Sequence, residues 1–308
     1  GIAGKSRLPG FCRHWMRAPA SSVREYLHDE WRLSYLHKPA VTSAGALLPA
    51  LVLVHPVGIG LSSWFWSRFL DEWEGEAFAP DLVGCGRSEP WRPDVRGLFL
   101  PLDWSRAIET LCNECVGREC VVVAQGGLAP VGVQLSARAS VAGGRGADVR
   151  GLVLASPPAW SEMVTAVPEA ELRRNFDALS SAPGFAAVGL LEQRAFIRFF
   201  SNRFLFEATA DDEWLDEACE RTGPALRPPV AAFNAGLLRA RSFESELRSL
   251  PQPTLVLSGG ADKREAGRRP YGCFMRSCQL QSLIGLNVLP WEAPQETAGA
   301  LRTFCSGM

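Results

Sequence analysis

Four short, largely apolar runs constrain the fold of this chain more than any other feature of its sequence. They read LVLVH, ECVVVA, VRGLVLA and TLVLS, and they lie at residues 51–55, 119–124, 149–155 and 254–258. Runs of this length are typical of strands that are buried on both faces of a sheet. Helical spacing separates them, so the pattern predicts an α/β fold with a mostly parallel central sheet flanked by helices.

The pattern changes between residues 159 and 250, where strand-like runs disappear and helical segments follow one another. These segments are predicted near residues 167–180, 185–206, 211–222 and 226–247. A helical block between two strands of one sheet is typical of an inserted cap. We therefore predict a core formed by residues 31–158 and 251–308, with a helical cap insertion at residues 159–250.

Residues 1–30 are predicted to form a basic N-terminal arm. The first 24 residues carry no acidic side chain and five basic ones, which are Lys5, Arg7, Arg13, Arg17 and Arg24. The arm has two interpretations that remain open: a segment that docks on a partner, or a remnant of processing in a chain that begins with glycine.

Composition excludes several classes of protein. The chain has 308 residues, 47% of them hydrophobic, and a net charge of −1, so it can bury a large core and has no overall attraction for nucleic acid. No apolar run reaches the length of a transmembrane helix, so no transmembrane segment is predicted. An odd number of cysteines, nine, favours a reduced compartment, and the lack of an N-x-S/T site disfavours secretion.

Metal and cofactor chemistry has little support in the sequence. Cys112 and Cys115 form a C-x-x-C pair, but a zinc site needs about four ligands and no second pair or nearby histidine supplies the others. We therefore predict no metal and no cofactor. The only histidines are His14, His28, His37 and His55. Any mechanism that needs a catalytic histidine towards the C-terminus is excluded.

Five motifs follow one another in a recognisable order. They are LVLVHPVG at 51–58, DLVGCGRS at 81–88, VVVAQGGL at 121–128, TLVLSGGAD at 254–262 and LNVLPWEAP at 286–294. In order and spacing these motifs resemble those of the α/β-hydrolase fold superfamily, over about residues 31–305. The resemblance implies a strand–turn–helix elbow that carries the nucleophile, an oxyanion loop after an early strand, and a late loop that carries the catalytic histidine.

The resemblance also implies that the catalytic triad is vestigial. Gly126 stands where the elbow has serine, Asn287 stands where the late loop has histidine, and only the acid, Asp262, is retained. Glycine offers no nucleophile, and an asparagine amide is not a useful general base. The remnant of the oxyanion loop is predicted at His55, Val57 and Gly127, although Pro56 has no N–H to donate.

Other residues have both a chemical and a structural interpretation. Trp64, Gln125 and Leu128 are candidates for the wall of a pocket. Trp64 belongs to the aromatic run Trp64-Phe65-Trp66, for which packing of a helix on the sheet is the favoured interpretation. Cys85 is a possible substitute nucleophile, but it lies between two glycines and lacks a visible base.

Structural roles are favoured for two ionisable residues, His55 of the oxyanion-loop remnant and Asp262 of the vestigial triad. For His55, at the end of a buried strand, we favour a hydrogen-bonded structural role over catalysis. For Asp262, which has no histidine to orient, we favour a turn or an ion pair. The arginines that follow it, Arg264, Arg268 and Arg269, suit either an anionic partner or a solvated loop.

Three functions remain open. The segments around residues 55–69, 124–128 and 287–292 are similar to a cyanobacterial and plastid branch of α/β-hydrolase-like proteins, which implies a plastid location. The favoured hypothesis is a catalytically inactive accessory or scaffold subunit of a photosynthetic complex. It would bind protein partners through residues 1–30 and the cap, at the periphery of a membrane. The alternatives are a carrier or sensor of an apolar lipid or pigment, and a hydrolase or lyase with non-standard catalytic residues.

Overall fold

A single eight-stranded sheet organises the molecule, whose computed structural model describes residues 21–93, 101–141 and 147–308. The spatial order of the strands is β1-β2-β4-β3-β5-β6-β7-β8. Their bounds are Ser22–His28 (β1), Trp31–Lys38 (β2), Ala50–Val54 (β3), Ala77–Pro80 (β4), Cys120–Gln125 (β5), Val149–Ala155 (β6), Thr254–Gly259 (β7) and Cys278–Leu283 (β8).

The sheet is parallel from β4 to β8 and antiparallel at its other end. Strands β3, β5, β6 and β7 pair in parallel with their neighbours, whereas β1 pairs with β2 and β2 with β4 in antiparallel registers. The mostly parallel sheet predicted from the four apolar runs is therefore confirmed. Every residue of β3 and β5 is buried, as expected of strands covered on both faces.

Helices pack on both faces of the sheet. Their bounds, in chain order, are Ser43–Ala46 (α1), Ser67–Glu72 (α2), Pro101–Leu111 (α3), Ala129–Val141 (α4), Trp160–Val164 (α5), Glu169–Ser180 (α6), Ala182–Leu191 (α7), Arg194–Phe204 (α8), Asp212–Glu220 (α9), Arg227–Asn234 (α10), Glu244–Ser249 (α11), Glu265–Phe274 (α12), Leu289–Glu292 (α13) and Pro294–Ser306 (α14). Among the described residues, no helix is both long enough and apolar enough to cross a membrane.

Alternate residues of the strands contribute side chains to two separate apolar clusters. Val52 and Val122 join the cluster that contains Ile108 of α3 and Val131 of α4. Leu53 and Val121 join the opposite cluster, which contains Phe69 of α2 and Leu301 of α14. This alternation follows from the two-residue period of a strand, which sends successive side chains to opposite faces.

The N-terminal prediction requires a correction. Residues 1–20 lie outside the described residues, so the arm is not described there. The rest of the predicted arm is not an arm, because Ser22–His28 forms strand β1 at the edge of the sheet. Asp29, with φ of 50°, helps to turn the chain back into β2.

The segment between β6 and β7 consists of helices α5 to α11, which lie between Trp160 and Ser249. A strand is not found anywhere in this stretch, all of which is described. The division into a core and a cap over residues 159–250 remains a prediction. The helices of this segment form one wall of the cavity described next.

Candidate functional site

A cavity lies at the carboxyl ends of β3, β5 and β6. It has a volume of about 600 Å³, and its walls come from the loop after β3, the turn after β5 and helices of the cap segment. Ligands of open α/β sheets bind at this edge, where the loops that follow the strands meet. The cavity includes five of the predicted triad, oxyanion-loop and pocket positions, which are Val57, Gln125, Gly126, Gly127 and Asn287.

Gly126 occupies the sharp turn between β5 and α4. Its φ of +59° is left-handed, a conformation that costs non-glycine residues about 1–3 kcal/mol. A β-carbon placed on Gly126 would meet no atom within 4 Å, so the position has space for a side chain and holds none. The elbow geometry that the motif predicted is therefore present, at the cavity wall, without a nucleophilic atom.

The next residue, Gly127, is required by close packing. A β-carbon there would lie 2.4 Å from the ring of Phe233 in α10. The cap segment thus packs directly onto the elbow, and glycine is needed for that approach.

Asn287 connects the late loop to the elbow and to the cap segment. Its backbone carbonyl accepts a hydrogen bond of 2.7 Å from Nε2 of Gln125, and its backbone N–H donates to the carbonyl of Leu205 at 3.0 Å. Its Nδ2 donates to the carbonyl of Phe204 at 3.4 Å. The residue at the position that the resemblance assigns to histidine therefore connects the late loop by hydrogen bonds to the elbow and to the cap segment.

Asp262 is held by two arginines. Its carboxylate accepts from Nη2 of Arg268 at 2.7 Å and from Nε and Nη2 of Arg264 at 3.0 and 3.1 Å. Burial acts to raise the pKa of Asp262, but the hydrogen bonds and charges of Arg264 and Arg268 outweigh it, so the pKa lies below its usual range. The ion-pair interpretation is confirmed, and it places these two arginines in a structural contact.

Arg268 is itself buried, with only 1% of its surface exposed. Besides Asp262, its Nε donates to the carbonyl of Pro157 at 2.6 Å. The pair therefore joins the loop after β7 to the loop after β6. Arg264, in contrast, has a half-exposed side chain and also lines the cavity.

His55 has both ring nitrogens engaged away from the cavity. Nε2 accepts from the backbone N–H of Leu82 at 3.1 Å, which requires the proton on Nδ1, and Nδ1 donates to the carbonyl of Pro56 at 2.8 Å. The side chain is fully buried and does not line the cavity. These contacts support the structural interpretation over a catalytic base.

We expect stability to decrease with acidification through His55. Burial lowers its pKa below the ordinary value of 6.5, so near and below pH 6.5 the unfolded chain binds a proton that the folded chain does not. Stability is then complete above pH 6.5 and is lost as the pH falls towards the lower folded pKa. In that window the slope of unfolding free energy against pH should contain up to about 1.4 kcal/mol per unit from this residue.

Chemical denaturation of the wild type and of His55→Gln between pH 5 and 7.5 measures this contribution. Glutamine can still accept from Leu82 N–H but does not titrate. Equal slopes for the two proteins would assign the pH dependence to other groups.

Two predicted pocket positions lie outside this cavity. Leu128 is completely buried in the core next to the elbow and does not line the cavity. Trp64 packs edge-on against Trp214 and Trp291, with ring centroids 5.2 and 5.3 Å apart. The core-packing interpretation predicted such contacts. Neither residue lines this cavity, although Trp64 lines a second one of about 260 Å³. Val57 of the oxyanion-loop remnant does line the cavity at the elbow.

Cys85 lacks the environment of a nucleophile. Burial and the nearby Asp81 carboxylate raise the pKa of its thiol far above the usual range, and the residue does not line the cavity. Within the described ranges, no group of three or more histidine, cysteine or acidic side chains is arranged to hold a metal ion.

Ser156 is a cavity residue that the sequence did not reveal. It follows β6 with φ of 49°, and its buried hydroxyl has no partner among the described residues. The amide oxygens Oε1 of Gln125 and Oδ1 of Asn287 are also buried without such partners. The position of Ser156 at the carboxyl end of a buried strand was the available signal, but its backbone strain has no sequence signature.

Comparison with known proteins agrees with this architecture. A model of the alpha/beta hydrolase family matches residues 51–300. The chain is similar to a serine hydrolase involved in carbazole degradation, with 17% identity, a TM-score of 0.66, and coverage of 94% of this chain and 100% of that one. It is also similar to a haloalkane dehalogenase from Bradyrhizobium elkani, with 17% identity, a TM-score of 0.69, and coverage of 94% and 98%.

An epoxide hydrolase gives a comparable similarity, with 15% identity, a TM-score of 0.68, and coverage of 94% of this chain and 99% of that one. At these identities the similarity establishes the fold alone. None of the curated proteins compared with this chain matches it significantly.

Proposed function

The chain belongs to the alpha/beta hydrolase family, and we propose that it binds a small, mainly apolar molecule in its cavity without cleaving it. The observation that carries this proposal is the elbow. Gly126 borders a cavity of about 600 Å³ and leaves open space where a nucleophile could stand. The site thus retains the volume of a ligand pocket and lacks the atom that would attack a ligand.

The other catalytic positions support the lack of turnover. Asn287 cannot take a proton from a nucleophile, and the Asp262 carboxylate is occupied by Arg264 and Arg268. The cavity wall described above contains no histidine. Ser156 offers a hydroxyl, but a serine without a base is a weak nucleophile. Loss of a nucleophile and its base together lowers rates by several orders of magnitude.

The walls favour an apolar ligand with few polar groups. Ile59, Ile197, Val230 and Leu238 contribute aliphatic surface, and Phe233 contributes an aromatic ring. A cavity of this volume suits a single small molecule. The unpartnered oxygens of Gln125, Ser156 and Asn287 would gain hydrogen bonds from a ligand that carries a hydroxyl or amine group. This matches the carrier or sensor hypothesis more closely than the other two.

An accessory role in a plastid photosynthetic complex remains a further part of this proposal, since ligand binding and association with a partner are compatible. Its support is the sequence resemblance to the plastid branch. Residues 1–20, where docking was predicted, lie outside the described residues.

Titration of the full chain with the fluorescent fatty acid cis-parinaric acid tests binding. We expect saturable binding of one probe per chain, and native mass spectrometry of the purified protein to show a bound small molecule. Hydrolysis of p-nitrophenyl butyrate should equal that of a buffer control. Ester turnover that disappears in Ser156→Ala or Cys85→Ala would instead support the non-standard enzyme, and failure to bind any apolar probe would remove the carrier hypothesis.

A further inference from the structure

Helix α7, Ala182–Leu191, has an unusual composition for a surface helix. Its ten residues, APGFAAVGLL, include no polar side chain, yet Val188 is the only one that is buried. A helix that is apolar on all sides is normally enclosed by protein or lipid. Leu190 is 51% exposed. Within the part of the chain that the structure describes, an extended apolar surface is therefore open on this side of the molecule.

Helix α8, Arg194–Phe204, continues the surface with aromatic residues. Ile197 and Ser201 face inwards, whereas Phe199, Phe200 and Phe204 are exposed to 59%, 37% and 52%. Their rings are in contact, with centroids 5.3 Å apart for Phe199 and Phe200 and 6.1 Å apart for Phe200 and Phe204. Together with the exposed face of α7, these three rings form what we call the cap docking surface.

Arginines border the cap docking surface. The guanidinium of Arg203 lies 5.1 Å from the centre of the Phe204 ring, and Arg198, the neighbour of Phe199 in the sequence, forms an ion pair of 3.4 Å with Asp212. Arginine and phenylalanine on one short helix are typical of segments that lie in the interface of a bilayer, where the rings enter and the cations remain near the headgroups.

The cap docking surface is continuous with the cavity. Leu191, Phe200 and Phe204 line the cavity, and Phe200 and Phe204 also form part of the exposed patch. An apolar molecule moving between a bilayer and the cavity could therefore pass along these side chains without entering water.

We propose that the cap docking surface binds the surface of a lipid bilayer. A bilayer requires only apolar area from the segment that enters it, whereas a protein partner of comparable area forms about one hydrogen bond per 100–200 Å², and α7 offers no side chain for one. Helix α7 is about 15 Å long, half the thickness of the hydrocarbon core, so it lies in the interface. Transfer of the cavity ligand from lipid rests on the proposed function; docking itself does not.

Flotation with vesicles tests the proposal on the full chain. We expect the protein to float with phosphatidylcholine vesicles and to float more completely when phosphatidylglycerol is added, because Arg203 adjoins the exposed ring of Phe204. The variant Leu190→Glu/Phe199→Glu should lower the partition coefficient about tenfold or more. Both residues are exposed and neither lines the cavity, so parinaric acid binding should be unchanged.

The matched control is Leu47→Glu/Ile284→Glu, which adds the same charges at positions that are 86% and 74% exposed outside the patch. It should float like the wild type. Equal flotation of both double variants, or no flotation of the wild type with either lipid, would overturn the proposal. Self-association that depends on Leu190 and Phe199 in vesicle-free sedimentation would assign the surface to a second copy instead. If the wild type does not float but binds parinaric acid normally, the docking proposal fails and the proposed function stands.

Discussion

Asp262→Ala is expected to lower the free energy of unfolding by about 3–5 kcal/mol, because it leaves a buried charge without its partner. Arg268 is 1% exposed and reaches Asp262 at 2.7 Å. After the substitution it would keep the carbonyl of Pro157 but face the positive charge of Arg264. Urea denaturation at pH 7, followed by circular dichroism and by tryptophan fluorescence, measures the loss.

Two further variants separate the buried charge from other effects. Asp262→Ala/Arg268→Leu removes both charges and should recover most of the lost stability. Arg264→Ala removes the half-exposed partner and should cost less than about 1 kcal/mol. Wild-type stability for Asp262→Ala would show that the ion pair is not structural and would return the residue to consideration as a catalytic acid.

The strands show how far a local pattern determines a fold. Strand β6 has the predicted bounds, 149–155, because parallel strands covered on both faces consist of short apolar runs. Strand β1 was missed because it lies at the edge, where only Tyr26 is buried. Its alternation is too weak to distinguish it from an exposed arm.

The helical character of the cap segment was predicted, but the bounds of its individual helices were not. A single helix was expected over residues 226–247, but the structure has α10, Arg227–Asn234, and α11, Glu244–Ser249. Gly236 lies between the two helices and has a left-handed φ of +87°. The periodicity of apolar residues gives no sign of such a conformation. The helix expected over residues 185–206 is likewise divided into α7 and α8.

In the candidate site, too, the features set by local sequence were predicted and those set by tertiary packing were not. Gly126, Asp262 and Asn287 were identified because turns after strands carry short motifs whose geometry depends on local sequence. The cavity wall could not be predicted, because Ile197, Phe233 and similar residues come from helices whose inward faces are set by tertiary packing. For the same reason Leu128, one residue beyond the cavity-lining Gly127, could not be distinguished from a pocket residue.

Gly126 offers the most direct control of the cavity, because its position has space for a side chain. Gly126→Phe would project a ring from the elbow towards a cavity of about 600 Å³. We expect it to lower the affinity for cis-parinaric acid about a hundredfold or more, equivalent to about 2.7 kcal/mol. Isothermal titration or the fluorescence titration described above measures the change.

Gly126→Ala is the matched control, because both variants place a β-carbon at φ of +59°. Each should therefore lose a similar amount of stability, about 1–3 kcal/mol, while only phenylalanine occupies the cavity. Alanine should leave probe affinity within about threefold of the wild type, since a methyl group at this position meets no atom within 4 Å. If both variants bind the probe like the wild type, the probe occupies another site and the elbow cavity is not the ligand pocket. If both lose binding equally, backbone strain, not occupancy, controls the site.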